Sequence, residues 1–307
     1  MRVVALPTKT NFRGVSLREV ALFKGEFGWG EFSPFLEYDE TESAPWLQSA
    51  IAAATTPRPK LFREKVKVNG TIPAINDQSD LERIVESFDG VETFKVKVGA
   101  NLSEDLVRLA KIRTLKPKAK LRIDVNGSWS LETAITNLRA IYENIGELEF
   151  VEQPCATIEE LKRLKDEVRI PLRIAGDEIL RKANDPFKVD LSGAIDILVI
   201  KVQPIGGIDR AHKLANHFGL PIVVSSALES AVGIHYGLQL AASFENLEFD
   251  CGLGTGSLLT ANVGELPIVN GEITIKSFEP NFANLEVSPE RYEWWKNRVL
   301  TTAEKIK

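Results

Sequence analysis

The feature that most constrains this chain is an alternation. From about residue 66, short β-rich runs and helical patterns take turns to the end of the chain's long middle section. The β-rich runs are Val66–Ala74, Phe94–Gly99, Leu121–Asn126, Leu148–Glu152, Pro171–Asp177, Ala194–Val202, Pro221–Ser226 and Glu248–Gly252. Helical patterns lie between them at Asp80–Phe88, Glu104–Leu115, Leu131–Glu143, Ile158–Val168, Ile208–Phe218 and Val232–Phe244, with a weaker one over Asp185–Ser192. Strands joined by helices must run parallel, because a parallel pair needs a crossover connection. Eight such strands in about 190 residues suit a closed barrel better than an open sheet. After Gly252 the chain continues into Gly254, Gly256 and an irregular stretch instead of a helix. The expected fold is therefore α/β, a (β/α)7β TIM-like barrel over residues 66–270.

The flanks follow another pattern. Residues 1–35 read as antiparallel strands, with Gly25-Glu26 as a turn. Pro45–Thr55 reads as one apolar helix, and the tail holds a short strand, Glu272–Ile275, and a Trp-bearing helix, Pro289–Leu300. Residues 1–65, completed by 271–307, are expected to form a small α+β capping domain beside the barrel.

In such barrels the reactive groups stand at the C-terminal ends of the strands. Lys97, Asp124, Glu152, Asp177 and Lys201 end five successive β-rich runs, at intervals of 27, 28, 25 and 24 residues. Strand alternation puts Lys95 on the same face as Lys97, and Arg122 and Asn126 on the same face as Asp124. A single carboxylate at a strand end is most often a turn or helix cap, and a lone K-x-K is most often a solvated face. Five charges recurring in register are harder to explain that way, since inward-pointing charges are costly unless paired or bound to a metal. Three carboxylates with no His or Cys among them are hard oxygen ligands and suit Mg²⁺. A lysine on each side of that metal could act as general base and general acid once burial and neighbouring cations lower its pKa.

Other classes fit less well. The net charge of −5, from 38 basic and 43 acidic residues, is unfavourable for nucleic acid or an anionic membrane. No run is long enough to cross a bilayer, the first residues are too short an apolar run for a signal peptide, and two cysteines give no disulfide framework. A cytoplasmic enzyme is expected, acting on a small-molecule carboxylate; the sequence leaves its oligomeric state open and is compatible with a monomer. A Schiff-base aldolase with Lys201 or Lys97 as nucleophile would leave the three carboxylates without a task. A non-catalytic binding module would have no use for all five inward charges.

With these residues in view, the chain resembles the enolase superfamily, in its muconate-lactonizing subgroup. The resemblance rests on K-x-K, D-x-N, E-Q-P, G-D-E and Lys201 on five successive strands. It rests also on Phe12-Arg13-Gly14, Gly28-Trp29-Gly30-Glu31-Phe32-Ser33-Pro34, Ser225–Ser230 and Gly252-Leu253-Gly254-Thr255-Gly256. It implies that Asp124, Glu152 and Asp177 bind Mg²⁺, that Lys97 abstracts a proton α to a carboxylate, and that Lys201 stabilises the enediolate; a Lys base with Mg²⁺ is the known chemistry of that superfamily. Lys95 and Asn126 would support these groups, Arg122 would contact a substrate carboxylate, and Ser225, Ser226 and Gly254 would line a succinyl pocket. The implied reaction is syn-dehydration of a succinyl-bearing hydroxycyclohexadiene carboxylate in menaquinone biosynthesis. Racemisation of N-succinylamino acids or epimerisation of dipeptides on the same site is the alternative. The single cap helix, and Ile179 where many relatives carry Ser, depart from the family pattern.

Overall fold

The computed structural model describes residues 1–12 and 14–306; Arg13, quoted above in a loop motif, lies outside them. The chain opens with β1 (Arg2–Phe12), β2 (Val15–Lys24) and β3 (Trp29–Phe32), an antiparallel sheet in that order. Helix α1 (Glu40–Thr55) crosses it closely. A Cβ on Gly30 would lie 1.9 Å from the Ala50 carbonyl oxygen, so only glycine allows this approach of strand to helix. The helix begins five residues before the expected Pro45. Asp39 caps it by accepting from the Glu42 N–H at 2.8 Å, and Glu40 and Glu42 suit the positive end of the helix dipole. Capping chemistry outweighs the breaker signal of Pro45, which is carried inside the helix.

The barrel follows. Its elements are β4 (Lys65–Lys67), β5 (Gly70–Ile72), α2 (Gln78–Glu86), β6 (Thr93–Lys97), α3 (Leu102–Leu115), β7 (Lys120–Asp124), α4 (Leu131–Ile145), β8 (Phe150–Glu152), α5 (Ile158–Glu167), β9 (Ile174–Gly176), α6 (Glu178–Arg181), β10 (Ile197–Lys201), α7 (Val202–Ile205), α8 (Ile208–Phe218), β11 (Ile222–Ser225) and α9 (Ala231–Ser243). Strands β5 to β11 are consecutive neighbours in one parallel sheet. The last β-rich run, Glu248–Gly252, closes the ring through bridges instead of a full strand. Gly252 N–H donates to the Val224 carbonyl at 2.8 Å, and Asn69 N–H donates to the Cys251 carbonyl at 2.9 Å. The weak helix expected at Asp185–Ser192 is only a 3-10 turn, Pro186–Lys188, preceded by the single turn of α6.

Strand alternation sorts the side chains. Val96, Ile123, Val151, Leu198 and Ile200 point outward into the layer beneath the helices. Phe150, Ala175, Ile197, Val199, Val223 and Phe249 fill the lower interior. Each strand therefore plugs the barrel with apolar atoms below and carries its charge at the top, where the plug ends.

In the tail, β12 (Glu272–Thr274) pairs antiparallel with β4, so the first expected strand is split between that hairpin-like pair and β5. Helix α10 (Pro289–Ala303) returns to α1 and the first sheet. There Trp295 is fully buried, edge-on to Phe32 at 5.9 Å, with Trp46 and Phe35 in the same cluster. No helix among the described residues is long and apolar enough to cross a membrane.

Candidate active site

The register of the parallel sheet brings the strand-end charges together. Lys97 lies beside Asp124, Asp124 beside Glu152, and Glu152 beside Ala175, two residues before Asp177. Lys201 lies beside Ser225, and Ser225 bridges Gly252. Lys95, Lys97, Asp124, Asn126, Lys201, Ser225 and Ser226 all line one cavity at the barrel mouth, with Thr71, Phe35, Gly252 and Thr255. It encloses only about 20 Å³.

The ammonium groups hold the carboxylates. Lys97 Nζ donates to Asp124 Oδ2 at 2.6 Å and to Asn126 Oδ1 at 2.8 Å. Lys95 Nζ sits between Asp124 Oδ2 (3.1 Å) and Glu152 Oε2 (2.8 Å). Lys201 Nζ donates to Asp177 Oδ2 at 2.5 Å. The two lysines of β6 differ in electrostatics. Burial opposes the charge of both, but Glu152 and Asp124 outweigh it at Lys95 and raise its pKa. At Lys97 burial wins over Asp124, helped by the Lys95 charge, and the pKa is lowered. Lys97 is therefore the lysine better suited to give up its proton, and Lys95 is a fixed cation. Burial also disfavours the anions; Lys97 and Lys95 nevertheless hold Asp124 low, and Lys201 and Arg181 hold Asp177 at about 2. Burial and the nearby Asp124 charge push Glu152 up to about 7.

The strand ends are held by residues that spacing alone did not pick out. Gln153, at φ +42°, accepts from the Asp177 and Ile179 N–H groups through Oε1 and donates to the Cys155 carbonyl through Nε2. A non-glycine residue in that region is strained, and the strain is sustained by these three bonds. Arg181, one turn beyond Asp177 on α6, donates to Asp177 Oδ1 (3.4 Å), Glu178 Oε1 (2.8 Å) and the Tyr38 hydroxyl (2.9 Å). Glu178 Oε1 also accepts from Asn126 Nδ2 at 3.1 Å, which ties the Lys97 partner to the same network. The i, i+4 spacing of Asp177 and Arg181 was the available signal.

Two expectations are corrected. Arg122 is fully buried two residues below Asp124, level with Lys95. It donates to Glu149 at 2.6 Å, Asn69 Oδ1 at 3.0 Å and the Asp250 carbonyl at 2.7 Å, and lies over the Phe150 ring. It braces the barrel interior and does not line the cavity at the mouth. Gly254 turns away from the mouth and borders a separate cavity with Leu253 and Ile268. Its loop neighbours Gly252 and Thr255 line the catalytic cavity instead. Thr255 Oγ1 is 2.8 Å from Ser226 Oγ. The Cys155 and Cys251 thiols are pushed up to about 12 by burial, as fillers would be.

Among the described residues, no cluster of three acidic, His or Cys side chains is gathered closely enough to enclose a metal ion as it stands. The donor set nevertheless fits a hard cation. It is all oxygen, it is buried, and Glu178 Oε2 is left without any hydrogen-bond partner. A divalent ion would compete with the ammonium groups for the same oxygens.

Comparison with known proteins agrees with this architecture. The chain matches the family model for the enolase C-terminal domain-like region over residues 80–280 and the enolase N-terminal domain-like model over residues 3–54. It is 44% identical to an o-succinylbenzoate synthase of Mycolicibacterium smegmatis, covering 97% of this chain and 94% of that one. It is also 44% identical to that of Mycobacterium leprae, covering 98% and 90%. In solved structures its fold is similar to the L-Ala-D/L-Glu epimerase from Bacillus subtilis (TM-score 0.76, 22% identity, 91% and 95% covered). It is similar also to the muconate lactonizing enzyme from Pseudomonas fluorescens (TM-score 0.72, 19% identity, 95% and 96% covered). With the barrel, the cap and the five charges in register, the chain belongs to the enolase superfamily and, within it, to the family of the o-succinylbenzoate synthases.

Proposed function

We propose that this protein catalyses the o-succinylbenzoate synthase reaction. It would remove water from 2-succinyl-6-hydroxy-2,4-cyclohexadiene-1-carboxylate by syn elimination, in the cytoplasm, as a step of menaquinone biosynthesis. The observation that carries the reading is the pairing of a half-buried lysine of lowered pKa, Lys97, with a buried lysine, Lys201, across one cavity. Asp124, Glu152 and Asp177 would hold Mg²⁺, which when bound would act as a Lewis acid toward the substrate carboxylate and disperse its growing charge. Lys97 takes the α proton and, being on the same face, returns one to the departing hydroxyl. Lys201 offsets negative charge on the carboxylate oxygens. Lys95 keeps Asp124 ionised and holds Glu152 in place, and Asn126 orients the Lys97 ammonium. Ser225, Ser226 and Thr255 supply hydroxyls for the succinyl end. A cavity of about 20 Å³ must widen to admit this substrate, and Phe35, from the segment before α1, is the cap residue on its wall. We further propose that residues 66–270 form the catalytic domain and 1–65 with 271–307 the cap.

The test is turnover of the cyclohexadiene substrate with and without Mg²⁺, beside deuterium uptake into both enantiomers of an N-succinylamino acid. Metal-dependent formation of the aromatic product supports the proposal. Fast two-sided exchange with negligible dehydration would overturn it in favour of a racemase.

A further inference from the structure

A second cavity is far larger than the one at the barrel mouth. It encloses about 930 Å³ and shares no wall residue with the lysine cavity. Its walls come from both parts of the fold: the β2–β3 turn, the end of α1 and the segment to Pro59, the first turns of α8, one face of α9, and residues 277–280. Aromatic surface is supplied by Phe27, Trp29, Phe187, Tyr236 and Phe278. This size and mixture suit a small organic ligand.

The polar groups are unevenly matched. Lys24 and Glu279 pair with each other at 3.2 Å, and Glu279 also accepts from Trp29 Nε1. Arg58, Arg210 and Lys213 also line the cavity, and among the described residues no carboxylate is paired with them, although Glu26 and Asp209 border the same space. Two buried nitrogens, Arg210 Nε and His235 Nε2, have no hydrogen-bond partner. Arg210 Nε is a donor, and Gln239 Nε2 lies 3.2 Å from His235 Nδ1. Burial, with Arg58 nearby, lowers the His235 pKa to about 4, so the ring is neutral at pH 7. Helix α8 opens into the same space from Gly206 and Gly207, both at positive φ, with no side chain capping it. An uncapped first turn presents N–H groups and the positive end of the helix dipole. Arg58, Arg210 and Lys213 outnumber the carboxylates Glu26 and Asp209 beside the aromatic walls, so the charge of the lining outside the Lys24–Glu279 pair is net positive.

We propose that this cavity is a second, non-catalytic ligand site for an aromatic anion. Its rings lie against Trp29 and Phe278, and its acidic group is met by Arg210, Arg58 and the first turn of α8. An occupant would touch cap and barrel at once. The proposal is independent of the reaction assigned to the lysine cavity.

The probe is 8-anilinonaphthalene-1-sulfonate, with N-phenyl-1-naphthylamine as the uncharged molecule of the same ring system. Titration into the intact Mg²⁺-loaded protein should show one saturable site with energy transfer from tryptophan that falls in Trp29→Phe. Arg58→Gln with Arg210→Gln should weaken the sulfonate tenfold or more and leave the uncharged probe and kcat unchanged. Arg58 is exposed, so Arg58→Gln alone, expected to weaken the sulfonate severalfold, decides the matter if the double variant does not fold. Saturating o-succinylbenzoate should not displace the probe. Unchanged sulfonate affinity in these variants, displacement by o-succinylbenzoate, or no saturable binding would each overturn the proposal.

Discussion

Two lysines on one strand, two residues apart, show how far position alone decides chemistry. Lys95 meets two carboxylates and Lys97 one, and their pKa values move in opposite directions. In a syn dehydration one base makes both proton transfers, so Lys97→Ala should abolish product formation and α-proton exchange together. Lys201→Ala should lower kcat by about 10²- to 10³-fold, the usual loss when one charge-stabilising donor is removed from a dry site. If each lysine single variant kept exchange with one enantiomer of an N-succinylamino acid, the division of roles would be wrong. Asp177→Asn removes a proposed metal ligand and also the counter-charge of Lys201 and Arg181. It should weaken Mg²⁺ binding in calorimetry and cost about 3 kcal/mol of stability in urea, as expected when a buried ion pair loses one member. For Arg122→Gln the same mechanism leaves the buried Glu149 with only the exposed Lys120 as its partner. A similar stability loss is expected, with KM no more affected than kcat; a selective rise in KM would restore Arg122 to the substrate.

At the level of elements, the tail helix is the test case. Helix α10 is a late, surface-running segment, yet Trp295 is buried as deeply as any barrel residue, and its Nε1 donates to Glu19 on β2 at 2.8 Å. Trp295→Ala should cost about 3–5 kcal/mol through the cavity left behind. The loss should show as easier proteolysis within 282–306 before the barrel unfolds. Equal protection of tail and barrel in the variant would mean that the helix is not a separately anchored element. The turn after the last β-rich run makes the same point for the site. One residue of phase separates Gly254, on an outer cavity, from Thr255, on the catalytic one, so Thr255→Val should raise KM while Gly254→Ala acts through packing.

The whole molecule is joined along the seam between cap and barrel. Glu31 on β3 accepts from Ser230 N–H and Oγ and from Gly233 N–H on the barrel side. Nearby, Glu229 is buried, with Arg18 of β2 and Glu31 facing it. Burial first, and then the Glu31 charge, push Glu229 up to about 7. A free glutamate ionises near 4.5. Between these values the folded protein keeps a proton that the unfolded chain has lost, so stability falls as pH rises from about 4.5 through 7. Glu229→Gln should flatten that part of the stability profile and gain stability at pH 8 relative to the parent, measured by urea unfolding. An unchanged slope would mean that Glu229 titrates normally in the fold.

The sequence by itself determined the barrel and which charged side chains end its strands. Strand alternation and a repeat of 24–28 residues are local properties, and they repeat on strand after strand. It also determined the cap hairpin, because glycine turns between alternating strands act locally. Other features were decided only by the tertiary structure. The split of the first strand depends on β12, two hundred residues away, and the last strand is reduced to bridges by its two neighbours. Arg122 shares a strand face with Asp124, but depth in the barrel, which no periodicity encodes, puts it among Glu149, Asn69 and Phe150 instead of at the mouth. Arg181, Gln153 and Tyr38 work through partners that only folding brings near. The large cavity between cap and barrel has walls from six separate stretches of chain. Alternation within a strand fixes which face a side chain takes, whereas height on that face and the neighbours across it depend on how the strands are staggered and closed.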